Sequence, residues 1–222
     1  MLDPWAIKLV DAPLKACARI LEKKNINPDQ VTIAGFGIGL LAFFALWMNG
    51  YKTALFFIVL NRFMDGLDGA LARLTARTDA GGFLDICLDF IFYSAVVAGF
   101  ALSNPQNNAI PAVLLLLSFV GTGTSFLAFA VMAQKHDLKS VAYPHKALYY
   151  IEGLTEGTET ILFLVIICMF PGHFPFFAFL FSFLCFITTI TRVLSGYATL
   201  KEVAKNKEKM VFNQGMNNGN NS

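Results

Sequence analysis

The chain has 222 residues, 56% of them hydrophobic and 14% charged, with a net charge of +2 and a mean hydropathy of +0.58. A soluble globular domain carries about a quarter charged residues, so the composition excludes one and describes an integral membrane protein. The net charge says little alone; the positions of the cations say more, and no nucleic-acid partner is expected.

Residues 1–26 read as an amphipathic surface helix. Ile7, Val10, Leu14, Cys17 and Leu21 form one stripe at helical spacing, and Lys8, Asp11, Lys15, Arg19 and Glu22 form the other. Pro4 suits a first turn and Pro13 is expected to kink the middle. With Trp5 and the basic residues on its polar side, the helix is expected to lie along the cytoplasmic lipid surface. Packing against a partner helix is the alternative. No cleavable signal peptide is expected, because Asp3 and Pro4 open the chain with no apolar core directly after them. The turn Asn27-Pro28-Asp29-Gln30-Val31-Thr32 then starts the first span. Asn27 or Asp29 can cap its free amides, and helix N-termini attract phosphate.

A span needs roughly 20 mostly apolar residues. Six candidates follow, at 31–49, 53–74, 82–103, 109–133, 150–170 and 174–197. Lysine and arginine set the orientation. Five precede the first span, Arg73 and Arg77 follow the second, Lys135, Lys139 and Lys146 follow the fourth, and four lysines from Lys201 to Lys209 follow the sixth. The alternate loops hold Lys52 alone, a ratio of fourteen to one. By the positive-inside rule both termini and the hairpin between spans two and three face the cytoplasm. For a bacterial protein this means a multi-pass inner (plasma) membrane protein. The expected organisation is a surface helix (1–26), an all-α domain of six transmembrane helices (27–200) and a polar, disordered tail (201–222), where NQGMNNGNNS has too little apolar surface to pack. Cys17, Cys87, Cys168 and Cys185 show no metal spacing and read as inert thiols.

The chemistry lies in spans two and three. Asp65, Asp68, Gly69, Ala72, Arg73, Gly81, Asp85 and Asp89 form the run D-x2-D-G-x2-A-R-x7-G-x3-D-x3-D inside hydrophobic sequence. A charged residue at the bilayer centre costs about 2.5–3.5 kcal/mol, so four uncompensated carboxylates would cost on the order of 10 kcal/mol. One arginine, Arg73, offsets too little of that, and bound divalent metal is the economical remedy. At 100° per residue, Asp65 to Arg73 share an arc of about 140°, and Gly81, Asp85 and Asp89 one of about 80°. The two faces can meet across the hairpin. Carboxylate oxygens suit magnesium or manganese, which also bind phosphate oxygens. Gly69, Ala72 and Gly81 leave the backbone bare for a close ligand, and Arg73 offers a planar fork for a phosphate.

This run resembles the motif of the CDP-alcohol phosphotransferase (phosphatidyltransferase) family, D-x2-D-G-x2-A-R-x8-G-x3-D-x3-D, at eight positions. The six-span layout over residues 1–200 and the Asn27–Thr32 turn are similar too. One residue is missing between Arg73 and Gly81, in the connecting turn. The resemblance implies transfer of a substituted phosphate group from a CDP-linked lipid donor to a small alcohol, with release of CMP, in phospholipid synthesis. It implies two divalent ions, with Asp65, Asp68 and Asp85 as ligands and Asp89 as both ligand and general base. Gly69 and Arg73 would contact the CDP portion, as would Thr78, a role the shortened turn puts in question; Ala72 and Gly81 belong to the same donor face. A homodimer is implied as well.

The acceptor is less legible. Glu152, Glu156 and Glu159 share one helix face at the start of span five, with Arg192 at similar depth in span six. They read either as an acceptor pocket or as groups neutralised by Arg192, Arg62 or Lys146. Surplus anion favours an uncharged or amine-bearing alcohol, whereas the family favours glycerol 3-phosphate; serine and inositol-type acceptors stay open. The rival readings are an intramembrane prenyltransferase, which binds diphosphate through aspartates and magnesium, and a cation transporter.

Overall fold

The fold is given by a computed structural model that describes residues 3–136, 155 and 157–219, with side chains described between residues 12 and 206. Among these residues every regular element is helical: α1 (Asp3–Lys23), α2 (Pro28–Trp47), α3 (Tyr51–Leu74), α4 (Asp79–Ser103), α5 (Pro105–Lys135), α6 (Gly157–Met169) and α7 (Phe174–Gly219), with a short 3-10 turn, Pro171–His173, before α7. Four stretches are long and apolar enough to cross a membrane, namely α2, α4, α5 and Pro171–Asn206. The second predicted span is α3, 24 residues long but interrupted by the acidic motif. The fifth coincides with α6, a shorter apolar helix of 13 residues; its expected beginning, with Glu152 and Glu156, lies outside the described residues.

The first two boundaries have one chemical cause. Asn25 and Asn49 adopt left-handed backbone, with φ of 54° and 60°. Around Asn49, the Gly50 amide donates to the Ala45 carbonyl at 2.7 Å and the Asn49 amide to the Leu46 carbonyl at 2.8 Å. The same pair of bonds recurs at Ile26 and Asn25, onto Leu21 and Glu22. Asparagine tolerates this conformation, and the paired bonds satisfy carbonyls a helix end would leave open. Pro28 then suits the first turn of α2, and the Asn27 amide donates to Gln30 Oε1 at 3.1 Å.

Small residues set the packing. α2 lies against both α3 and α4. A Cβ on Gly39 would sit 2.6 Å from the Phe92 ring, and one on Gly35 2.9 Å from Met64 Cβ. Such bare positions let helix backbones approach closely, the usual route to helix association where lipid is the solvent. Beyond them lies an aromatic core: Phe100 stacks on Phe174 with centroids 4.7 Å apart, and Phe163 on Phe181 at 4.4 Å. Leu46, Ile58, Val96 and Leu164 fill between them and are fully buried. Many large apolar side chains face outward, Phe56, Ile110, Phe176 and Phe183 each more than 60% exposed. That exterior suits hydrocarbon rather than water.

Two expectations need adjustment. Pro13 lies inside α1, and the apolar stripe of that helix meets protein: Leu14 and Ala18 are buried with Val31 of α2 and Leu67, Ala70 and Leu71 of α3. At the other end, α7 stays helical to Gly219, past position 201 where the sequence marks a tail. The run LKEVAKNKEKMVF accounts for the helix as far as Phe212, since it is dominated by good helix formers and holds no glycine or proline.

Candidate active site

Helical spacing does most of the assembly. Asp65 and Asp68, three apart on α3, face Asp85 on α4, and one ligand oxygen from each lies within 4.8 Å of the others. Asp68 is only 6% exposed, and its Oδ2 is buried with no hydrogen-bond partner. Leaving a charged acceptor unsatisfied in an apolar setting is costly. Opposite oxygens around a magnesium ion stand about 4.2 Å apart, so small rotations of these carboxylates would enclose one. Three hard oxygen donors with an orphaned acceptor fit a divalent ion.

Asp89 lines the same small cavity but is engaged differently. Arg62 Nη2 donates to its Oδ1 at 2.6 Å and Arg62 Nη1 to its Oδ2 at 3.2 Å, while the Tyr93 hydroxyl donates to Oδ2 at 3.2 Å. Arg62 also stands 3.7 Å from Asp65. The guanidinium is fixed from behind, since its Nε and Nη2 both donate to Asn61 Oδ1, at 2.8 and 2.6 Å. The cation within the acidic cluster is therefore Arg62 rather than Arg73. Among the described residues the bonds of Arg62 go to Asn61, Asp65, Asp89 and Tyr93, while Glu152 and Glu156, which the sequence also offers it, lie outside the described residues.

Arg73 is exposed at the outer end of α3, where it serves a different space. A cavity of about 330 Å³ is lined by Asp68, Gly69, Ala72, Arg73, Thr78, Gly81 and Asp85 together with Asn27 and Thr32. It is the union of the motif's donor face with the Asn27–Thr32 turn, and Asp68 and Asp85 form the boundary it shares with the acidic cluster. A Cβ on Gly69 would meet only Arg73 Nη1, at 3.5 Å, so this position faces open room. On Gly81 it would meet Asp29 Oδ1 at 2.9 Å and Thr78 Oγ1 at 3.0 Å. Thr78 is the N-cap of α4 and accepts from the Gly81 amide at 3.0 Å. The shortened turn thus leaves Thr78 on the cavity wall.

A second cavity, about 340 Å³, lies between α4, α5, α6 and α7. Tyr93, Thr122, Phe126, Thr155, Thr160 and Arg192 line it. Arg192 donates to the Thr122 carbonyl at 3.4 Å and sits 5.5 Å from the Phe126 ring centre. Of the expected acceptor group, Arg192 is on this wall, while Glu152 and Glu156 lie outside the described residues. Glu159 is half-buried in the first turn of α6. Tyr93 links the two halves, since it lines this cavity and its hydroxyl holds Asp89.

Residues 25–200 match the family described as CDP-alcohol phosphatidyltransferase. The chain belongs to that family. Its members are enzymes that transfer substituted phosphate groups in phospholipid synthesis and depend on divalent metal. Among curated relatives, the chain is 52% identical over 205 residues to the inner membrane protein YnjF of Escherichia coli, covering 92% of this chain and all of that one. It is 29% identical to phosphatidylinositol phosphate synthase of Streptomyces avermitilis, over 79% of this chain and 70% of that one. Among solved structures, phosphatidylinositol phosphate synthase of Mycobacterium tuberculosis with CDP-DAG bound has the same fold, with a TM-score of 0.62 and 19% identity over 83% of this chain and 93% of that one. The same enzyme in complex with manganese and citrate gives a TM-score of 0.60, with 20% identity over 83% of this chain and 88% of that one. Neither the prenyltransferase nor the transporter reading draws support from this family membership.

The residues that sequence reasoning passed over are Asn61 and Tyr93, and Arg62 in its actual role. A signal existed: Arg62 precedes Asp65 by three positions and Tyr93 follows Asp89 by four, so each shares a helix face with a motif acid.

Proposed function

We propose that the protein transfers a phosphatidyl group from a CDP-linked lipid, CDP-diacylglycerol in the first instance, to the hydroxyl of a small polar alcohol, releasing CMP. The observation that carries this is the cluster of Asp65, Asp68 and Asp85, one carboxylate of which is buried with an unpartnered oxygen, opening directly onto the cavity of Gly69 and Arg73. The structure relative with CDP-DAG bound supports a lipid donor, and the one with manganese supports magnesium or manganese at the acids.

Asp65, Asp68, Asp85 and Asp89, which line one small cavity, would hold two divalent ions together with the donor's diphosphate. Bound there, the ions would neutralise the diphosphate and stabilise departing CMP. Gly69, Ala72 and Gly81 admit the nucleotide against bare backbone, while Arg73 and Thr78 face it from the rim. Asp89 takes the proton of the acceptor hydroxyl as its oxygen bonds to the β-phosphorus. The bond from that phosphorus to the bridging oxygen breaks and CMP leaves. Arg192, with Glu152 and Glu156, forms the acceptor side; glycerol 3-phosphate, inositol-type alcohols, serine and amino alcohols are the classes to compare.

This reading places the chain in the bacterial inner membrane, as the name of its Escherichia coli relative supports. α3, at about 1.5 Å per residue, is long enough for the hydrocarbon thickness, which supports the reading of six spans. The fourteen-to-one distribution of cations supports a cytoplasmic side for both termini and the site, with α1 at the interface beside α3 and a homodimer as the assembly.

The test is an assay of purified protein with radiolabelled CDP-diacylglycerol, magnesium or manganese, and a panel of glycerol 3-phosphate, inositol phosphate, serine, choline and ethanolamine. CMP release that requires both metal and one acceptor is expected. No CMP with any acceptor, or metal-independent release, would overturn the reaction.

A further inference from the structure

The donor cavity holds a carboxylate that the reaction above does not use. Among the described residues that line it, Asp29 is the acid outside the motif, and Arg73 and Arg77 are the cations. Asp29 is half-buried in the first turn of α2, yet the bond closing that turn is made by Gln30, whose Oε1 accepts from the Asn27 amide. Among the described residues the Asp29 carboxylate makes no hydrogen bond and no ion pair. Its Oδ1 stands over the bare backbone of Gly81, 2.9 Å from where a Cβ would be, and Thr78 Oγ1 stands 3.0 Å from the same point. A carboxylate only accepts, whereas the Thr78 hydroxyl already accepts from the Gly81 amide and keeps its proton to donate. The wall thus sets an acceptor beside a donor. Gly81 lies one turn of α4 from Asp85 toward the hairpin loop, and Asp29 about one turn of α2 from Thr32, which lines the acidic cavity as well. With the diphosphate at the acids, the nucleoside lies at that outer turn. A ribose hydroxyl serves either partner equally. The cytosine edge does not: its 4-amino donor sits beside a ring-nitrogen acceptor, and uracil reverses the order.

We infer that Asp29 selects the base of the donor, its carboxylate accepting from the 4-amino group of cytosine while the Thr78 hydroxyl donates to the neighbouring ring nitrogen. The inference rests on the reaction proposed above. Cytosine offers an amino donor where uracil offers a carbonyl oxygen, so a uridine nucleotide would press that oxygen against a carboxylate left without a partner. A site built on a specific hydrogen bond rejects the analogue that lacks it, because its own polar group stays unpaired. Gly81 is then bare for a definite reason: a side chain there would occupy the space the ring edge needs.

The experiment titrates CDP, UDP and dCDP into wild type, Asp29→Asn and Asp29→Ala in detergent with manganese, and records melting temperatures alongside. CDP and UDP carry the same ribose and diphosphate, so the metal and phosphate contributions cancel in their ratio. Wild type is expected to bind CDP about 10–100-fold more tightly than UDP, the range of one well-placed base contact. In Asp29→Asn, whose amide can turn either its oxygen or its nitrogen to the base, the ratio should fall to within about threefold, with UDP binding improved. Asp29→Ala should lose the preference by weakening CDP about tenfold. Both variants should keep the wild-type ratio of CDP to dCDP. Equal binding of CDP and UDP by wild type, or an unchanged ratio in both variants, would overturn the base-reading role and leave the reaction standing. So would a collapse of the CDP to dCDP ratio, which places the carboxylate on the ribose. A lower melting temperature with the base preference intact would make Asp29 a helix-start charge only. A wild type that binds none of the three nucleotides with manganese would overturn the reaction as well.

Discussion

The two ends of the α3–α4 pair are built on opposite rules. Toward the α2–α3 turn, Ile58, Val96 and Phe100 are fully buried with Phe174, and the polar group among them is satisfied, Asn108 Nδ2 donating to the Phe100 carbonyl at 2.8 Å. Toward the hairpin loop, the same two helices present glycine and alanine to a cavity of about 330 Å³ and bury a carboxylate oxygen with no partner. Native interiors pack densely and satisfy their polar groups. An end that does neither, in a chain that does both one helix length away, is incomplete without a ligand.

The difference can be broken from either side. The largest effect is expected for Asp68→Asn. Manganese-dependent CDP binding and CMP release should fall at least about a hundredfold, since even changes behind a metal ligand cost about 10–100-fold, while the ligand-free protein melts at the same or a higher temperature. A lower melting temperature would make Asp68 a structural residue. Asp89→Asn should come next: turnover down by about 10²–10⁴-fold, the range for a general base, with CDP protection retained in a thermal-shift titration. Near wild-type turnover would remove Asp89 from the base role. Phe100→Ala attacks the packed end. It should cost about 3–5 kcal/mol of stability and leave the KM for CDP-diacylglycerol unchanged in whatever fraction stays folded. The smallest effect is expected for Gly81→Ala, whose new methyl would meet Asp29 and Thr78. That overpacked contact should cost about 1 kcal/mol of stability, the low end of its usual range, and CDP affinity should drop about tenfold.

The same division explains what the sequence made legible. Helix positions followed from apolar runs ended by asparagine, glycine and proline, because those signals are local. The acidic motif was legible for the same reason: Asp65 with Asp68, and Asp85 with Asp89, repeat at helical spacing. What could not be read was which cation closes the cluster. Arg73 sits inside the motif and Arg62 outside it, yet the fold turns Arg62 inward onto Asp89 and leaves Arg73 at the rim. That choice depends on how α3 is rotated against α4 and on Asn61 reaching the Gly35 carbonyl, 26 residues away. Periodicity within one helix carries no such information. The continuation of α7 past position 201 has a simpler cause: a polar composition reads as a tail, while lysine, glutamate and alanine still favour helix.

The most direct test of the claim that the unsatisfied acids exist to grip a nucleotide diphosphate through divalent metal is a calorimetric titration of the purified protein with CDP. It should be run with manganese, with magnesium, and with EDTA. Binding is predicted with either metal and none in EDTA. Equal binding in EDTA, or none with either metal while Asp65, Asp68 and Asp85 are intact, would contradict it.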